Sequence, residues 1–190
     1  MDYYYLGAQL PYLIYGQNPP MSSAAFKALA AELMNSGDAA LLDYCTLDPD
    51  PVKAEDSGAS YAEQALSTPS KLINQWKEWE RTLRLNLAKN RAIKFKRDGS
   101  GIDAPGIPAD AALAAKNAIS MESPLDAEFF LGKARWDAIE SFQGLNIFCE
   151  TAMYAYLLKL LLMERRAAFK NEEGLSEYKG LYAAILGEPK

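Results

Sequence analysis

The chain has 190 residues and not one histidine. That absence removes Ser-His and Cys-His nucleophile pairs, the usual proton shuttle near neutral pH and the commonest transition-metal ligand. Helical di-iron sites built on Glu-x-x-His are excluded with them. Cysteine is almost as scarce. Cys45 and Cys149 stand in no metal-like spacing, and their neighbours Tyr44 and Phe148 mark them as buried, reduced thiols. Neither a Gly-x-Gly-x-x-Gly nor a Walker loop occurs, so no nucleotide site is recognisable. The most apolar run, Thr151 to Met163, is shorter than the ~20 residues a bilayer requires and contains Lys159. Met1-Asp2 opens with an acid and no basic segment, unlike a secretion signal. These features predict a soluble, cytoplasmic protein that is not an enzyme and holds no cofactor or metal.

What is present is ordinary for a globular chain: 49% hydrophobic and 24% charged residues. The length suits one well-buried domain over residues 1–190. A net charge of −5 argues against a protein whose whole surface binds nucleic acid.

The stretch from Ser123 to Phe169 organises the remainder. Ser123 and Pro124 suit the cap and first turn of a helix, and Leu125, Phe129, Gly132, Trp136 and Ile139 recur on one helical face. Gln143-Gly144-Leu145-Asn146 breaks the period. The second run, from about Phe148 to Phe169, is apolar on nearly every side and needs cover all round. The fold class is therefore all-α, with about six helices around a central buried helical hairpin.

Before the hairpin, residues 3–15 hold five of the eleven tyrosines, divided by Pro11. A short extended segment or single turn is predicted on either side of Pro11. The rings either cover the hairpin or form a docking surface. A helix follows from Ser22 or Ser23 to about Asn35, stopped by Gly37, and a short one runs from Asp38 to Tyr44. Asp48 to Gly58 reads as an acidic solvated loop. Residues 98–110, rich in Gly, Pro and Asp, read as a flexible loop, either a divider between two lobes or a long exposed excursion. An alanine-rich helix from Ala111 to Ile119 precedes the hairpin. Glu172-Glu173-Gly174 ends the apolar run, and Leu175, Tyr178, Tyr182, Ile185 and Leu186 mark a last helix.

The longest helix begins at Thr68-Pro69 and runs to about Lys96, with Leu72, Trp76, Trp79, Leu83 and Leu87 as its seam. Asn86 and Asn90 make the later seam polar, which suits projection beyond the core or contact with a partner. This helix also concentrates positive charge. Lys77, Arg81, Arg84 and Arg91 share the side away from the tryptophans, as a solvated face or a protein interface for an acidic surface. Phosphate backbone and anionic lipid are further candidates for the same face. An alternative function follows: a helical nucleic-acid-binding or adaptor protein acting through residues 71–97. Charge reversal at Arg81 and Arg84 should weaken partner association while leaving thermal stability nearly unchanged. Asp126, Glu128, Asp137 and Glu140 are the only paired carboxylates of note. Lys133 lies beside them, which favours surface ion pairs over a raised, catalytic pKa.

Several stretches resemble one family. They are Tyr3-Tyr4-Tyr5-Leu6 with Ala8 and Leu10-Pro11; Asn86, Leu87, Ala88, Arg91 and Ala92; and Phe130-Leu131 through Arg135-Trp136-Asp137. Leu145, Phe148, Tyr156, Leu158-Lys159-Leu160 and Glu164-Arg165 complete the pattern. It resembles a family encoded among the V/A-type ATPase subunit genes of some bacteria, and distantly the C (or d) subunit of those ATPases. The resemblance implies a non-enzymatic structural, coupling or assembly component of a rotary ion-translocating ATPase, with part of the C subunit's helical fold. Its implied partners are ATPase subunits on the central stalk or rotor-ring side, at the cytoplasmic face of the membrane. The resemblance assigns no individual binding residue.

Overall fold

The computed structural model describes residues 2–48, 68–169 and Leu181. Seven α-helices and one 3-10 turn are present among them, and no strand; a lone antiparallel bridge joins Asp2 to Cys149. The acidic loop after Asp48 and the predicted last helix lie outside the described residues, apart from Leu181.

Helix α1 (Tyr4–Gln9) occupies the stretch predicted to be extended or a single turn. Pro11 still sets its limit, because Leu10 before it adopts extended backbone. Ser22 caps α2 (Ser23–Leu33), accepting a hydrogen bond from the Ala25 amide. That helix ends earlier than predicted. Asn35 caps the next one, α3 (Ser36–Leu41), so Gly37 lies inside a helix and stops nothing. A 3-10 turn follows at Leu42–Tyr44.

Helix α4 (Lys71–Lys94) starts behind Ser70, whose hydroxyl accepts from the Ile73 amide. All five predicted seam residues are buried. The polar half of that seam meets the chain itself. Asn86 Nδ2 donates to the Pro105 carbonyl at 2.7 Å, and Thr82 Oγ1 donates to that of Ile107 at 3.1 Å. Residues 98–108 therefore fold back along α4. Helix α5 (Ala109–Ser120) then runs in the same direction as α4, since Asp110 meets Trp79 at one end and Lys94 meets the Ile119 carbonyl at the other.

Ser123 caps α6 (Pro124–Gln143), and α7 (Glu150–Ala167) returns antiparallel to it. Glu128 pairs with Arg165 at 2.6 Å, and Glu140 with Lys159 at 3.3 Å. Gly144 makes the turn possible at φ +72°, where a Cβ would be strained. Gly132 serves another end: a Cβ there would lie 2.5 Å from Tyr15 Oη, which donates to the Phe129 carbonyl. Helix α7 buries Met153, Tyr154, Leu157, Leu158, Leu160 and Leu162 against α2, α4 and α6, as its apolar girth requires. Near the C-terminal end of α7, Glu164 accepts from both the amide and the hydroxyl of Ser23, at 2.7 Å each. The buried apolar residues form one continuous core.

Candidate interaction surface

The structure separates the four cations predicted to share an open face. The side of α4 that carries Lys77 and Arg84 is covered by residues 44–47. Trp76 Nε1 donates to the Thr46 carbonyl at 3.0 Å, which lays that segment along the helix. Lys77 Nζ then sits 5.3 Å from the centre of the Tyr44 ring. Arg84 donates to the Leu47 carbonyl and places its Nε 2.7 Å from Glu80 Oε1. Arg81 Nε lies 3.3 Å from Glu78. Arg91 alone of the four is exposed, two turns beyond Arg84.

Beneath this side lies a hub that sequence reasoning missed. Glu80 is buried and receives Arg135 of α6 in a two-pronged pair, at 2.9 and 3.0 Å, together with Arg84. Burial opposes the charge on Arg135, and the Glu80 carboxylate outweighs it, leaving that guanidinium more firmly protonated than usual. The only sequence signal was an acid on the tryptophan side of a basic helix. Its partner, 55 positions away, carried none.

The carboxylates of α6 are similarly engaged. Asp137 pairs with Lys133, Glu128 with Arg165, and Glu140 accepts from Trp136 Nε1 at 2.9 Å as well as from Lys159. Asp126 is exposed in the first turn, where an acid suits the helix dipole. Burial pulls the Lys159 pKa down, against the opposing pull of Glu140. Among the described residues no group of His, Cys, Asp or Glu could hold a metal ion, and no helix is long and apolar enough to cross a membrane. A cavity of about 530 Å³ opens between the start of α4 and Phe142 of α6, lined also by Pro69, Asn74, Gln75 and Pro108. None of the four predicted interface cations lines it.

Two exposed regions stand out among the described residues. The first gathers where the N-terminal segment meets the α6–α7 turn. The Tyr3 amide donates to the Phe148 carbonyl, and the Tyr4 and Phe148 rings lie 4.9 Å apart. Around that junction Tyr4, Tyr5, Leu145 and Ile147 stand in solvent, Leu145 at 102% exposure. The tyrosine run thus divides: Tyr3 is buried, donating to Asp38, and Tyr15 packs 5.5 Å from Trp136, while Tyr4, Tyr5 and Tyr12 face outward. The second region is the C-terminal tip of α4, where Arg91, Lys94, Lys96 and Arg97 are exposed beside Ile93 and Phe95.

The cysteines also divide. Cys45 is buried as predicted, and burial pushes its thiol up to about 12. Cys149 is a correction. It stands at the N-cap position of α7 without a side-chain capping bond and is only half-buried, with Thr151 Oγ1 at 2.9 Å.

No family model matches the chain, and neither does any curated protein or solved structure.

Proposed function

We propose that this chain is a non-enzymatic helical docking protein, a structural, coupling or assembly component of a V/A-type rotary ion-translocating ATPase. The observation that carries the docking role is the exposed apolar group around the α6–α7 turn: Tyr4, Tyr5, Leu145 and Ile147. Large apolar side chains gathered on a monomer's surface favour contact with another protein. Tyrosine supplies such contact at low entropic cost, because its ring is stiff and its hydroxyl stays hydrated. The choice of partner rests on the sequence resemblance, which covers Tyr3-Tyr4-Tyr5, Leu145 and Phe148 within this same group.

Affinity capture of the tagged chain from its own cells, under mild solubilisation, tests the reading. ATPase subunits should accompany the native chain and be lost with the double substitution Leu145→Asp and Ile147→Asp. Repeated capture without any ATPase subunit would sink it. The alternative of a nucleic-acid-binding or adaptor helix over 71–97 narrows to its last turns, because Lys77, Arg81 and Arg84 make contacts within the fold.

A further inference from the structure

We infer that the tip of α4, residues 89–98, is a docking surface for an anionic lipid bilayer. The segment carries Lys89, Arg91, Lys94, Lys96 and Arg97 against a single acid, Asp98, on a chain whose overall charge is −5. Two of these cations have a plain structural explanation. Arg91 and Lys94 lie in the last turn, where positive charge offsets the helix dipole, and Lys94 also donates to the Ile119 carbonyl at 2.8 Å. Lys96 and Arg97 lie past the helix and are exposed.

The backbone there adds an independent observation. The Arg97 amide donates to the Ala92 carbonyl and the Lys96 amide to that of Ile93, closing the helix in a Schellman turn. This places Lys96 at φ +53°, in the left-handed region where glycine is the unstrained choice. A cation is held where the fold alone favours no side chain, and such an outlier points to use at the surface.

Ile93 and Phe95 decide the kind of surface. They stand 64% and 66% exposed among the cations. A phosphate polymer rewards the charges and, at most, one ring for stacking; it offers nothing to isoleucine. A bilayer with acidic headgroups rewards both, since cations meet the headgroups while apolar side chains enter the acyl boundary. No crossing helix is needed for attachment of this kind.

The test uses the purified full chain and protein-free vesicles, so its outcome is separate from that of the ATPase reading. Sedimentation with phosphatidylcholine vesicles containing phosphatidylserine should carry the protein down, and pure phosphatidylcholine vesicles should not. Neutralising Lys96 and Arg97 with glutamine should lower partitioning roughly 30-fold. Phe95→Ser should lower it about tenfold with an unchanged melting temperature. Raised salt should weaken the native chain's binding. Failure to sediment with the acidic vesicles overturns the inference. So does tighter binding to a single-stranded oligonucleotide that the glutamine variant loses and Phe95→Ser leaves intact, because that pattern identifies a phosphate polymer. Vesicle binding indifferent to Phe95→Ser also overturns it, by removing the apolar half of the argument.

Discussion

The earlier cations of α4 and those at its C-terminal end, from Lys77 to Arg84 and from Arg91 to Arg97, differ in what has become of the charge. From Lys77 to Arg84 the cations are absorbed by the protein's own ring, carboxylates and carbonyl: Tyr44, Glu78, Glu80 and Leu47. From Arg91 to Arg97 they are exposed beside Ile93 and Phe95, with Lys94 also donating to the Ile119 carbonyl. The difference lies in what the remainder of the chain lays over each group. Residues 44–47 and Arg135 close on the first, the returning loop reaches the seam side at Thr82 and Asn86, and the cations from Arg91 onward stay exposed. Charge density along a helix therefore says little about where a charged surface is.

Substitutions can sharpen that contrast, beginning with the largest effect. Glu80→Gln should destabilise by about 3–5 kcal/mol in chemical denaturation, because it leaves the buried Arg135 guanidinium without its anion. A loss under 1 kcal/mol would mean that the hub is hydrated and inert. Arg84→Glu should cost roughly 2–3 kcal/mol, by setting a carboxylate against Glu80 and stranding the Leu47 carbonyl. This reverses the expectation of a nearly neutral change, which assumed an open face. Asn86→Ala should cost about 1 kcal/mol, as the Pro105 carbonyl loses its donor. Lys96→Gly should stabilise by about 0.5–1 kcal/mol through relief of its left-handed backbone, while weakening vesicle binding about fivefold. Arg97→Glu closes the series with a change within about 0.5 kcal/mol. Equal penalties for Arg84→Glu and Arg97→Glu would erase the distinction between the two groups.

Much of the fold was legible because its signals are local. Ser22 and Ser123 announced their helices through capping chemistry, and the tryptophan seam of α4 followed from period alone. The girth of α7 likewise predicted cover on all sides. Contacts between distant residues were not legible. Nothing in the sequence tied Glu80 to Arg135, Glu164 to Ser23, or the Pro105 carbonyl to Asn86. The buried face of α6 was read only in part: Trp136 and Ile139 are buried as predicted, whereas Phe129 is half-covered and Arg135 takes a core position. A charged residue there is invisible to a hydrophobic pattern, because its burial depends on an acid supplied by another helix. The interface prediction also missed the cover over Lys77 and Arg84, because residues 44–47 reach that side of α4 from a distant part of the chain.

The unequal burial of the two thiols gives the molecule a pair of internal reporters. Cys149 is the hairpin's member of the bridge to Asp2 and is half-open to reagent. Cys45 is sealed in the core, with too little thiolate near neutral pH to react. Iodoacetamide should label Cys149 in the native protein, and mass spectrometry should find Cys45 alkylated only as fast as the bundle opens. One timed labelling experiment would then follow the loosening of the chain's amino end and the breathing of its centre separately, with no added probe.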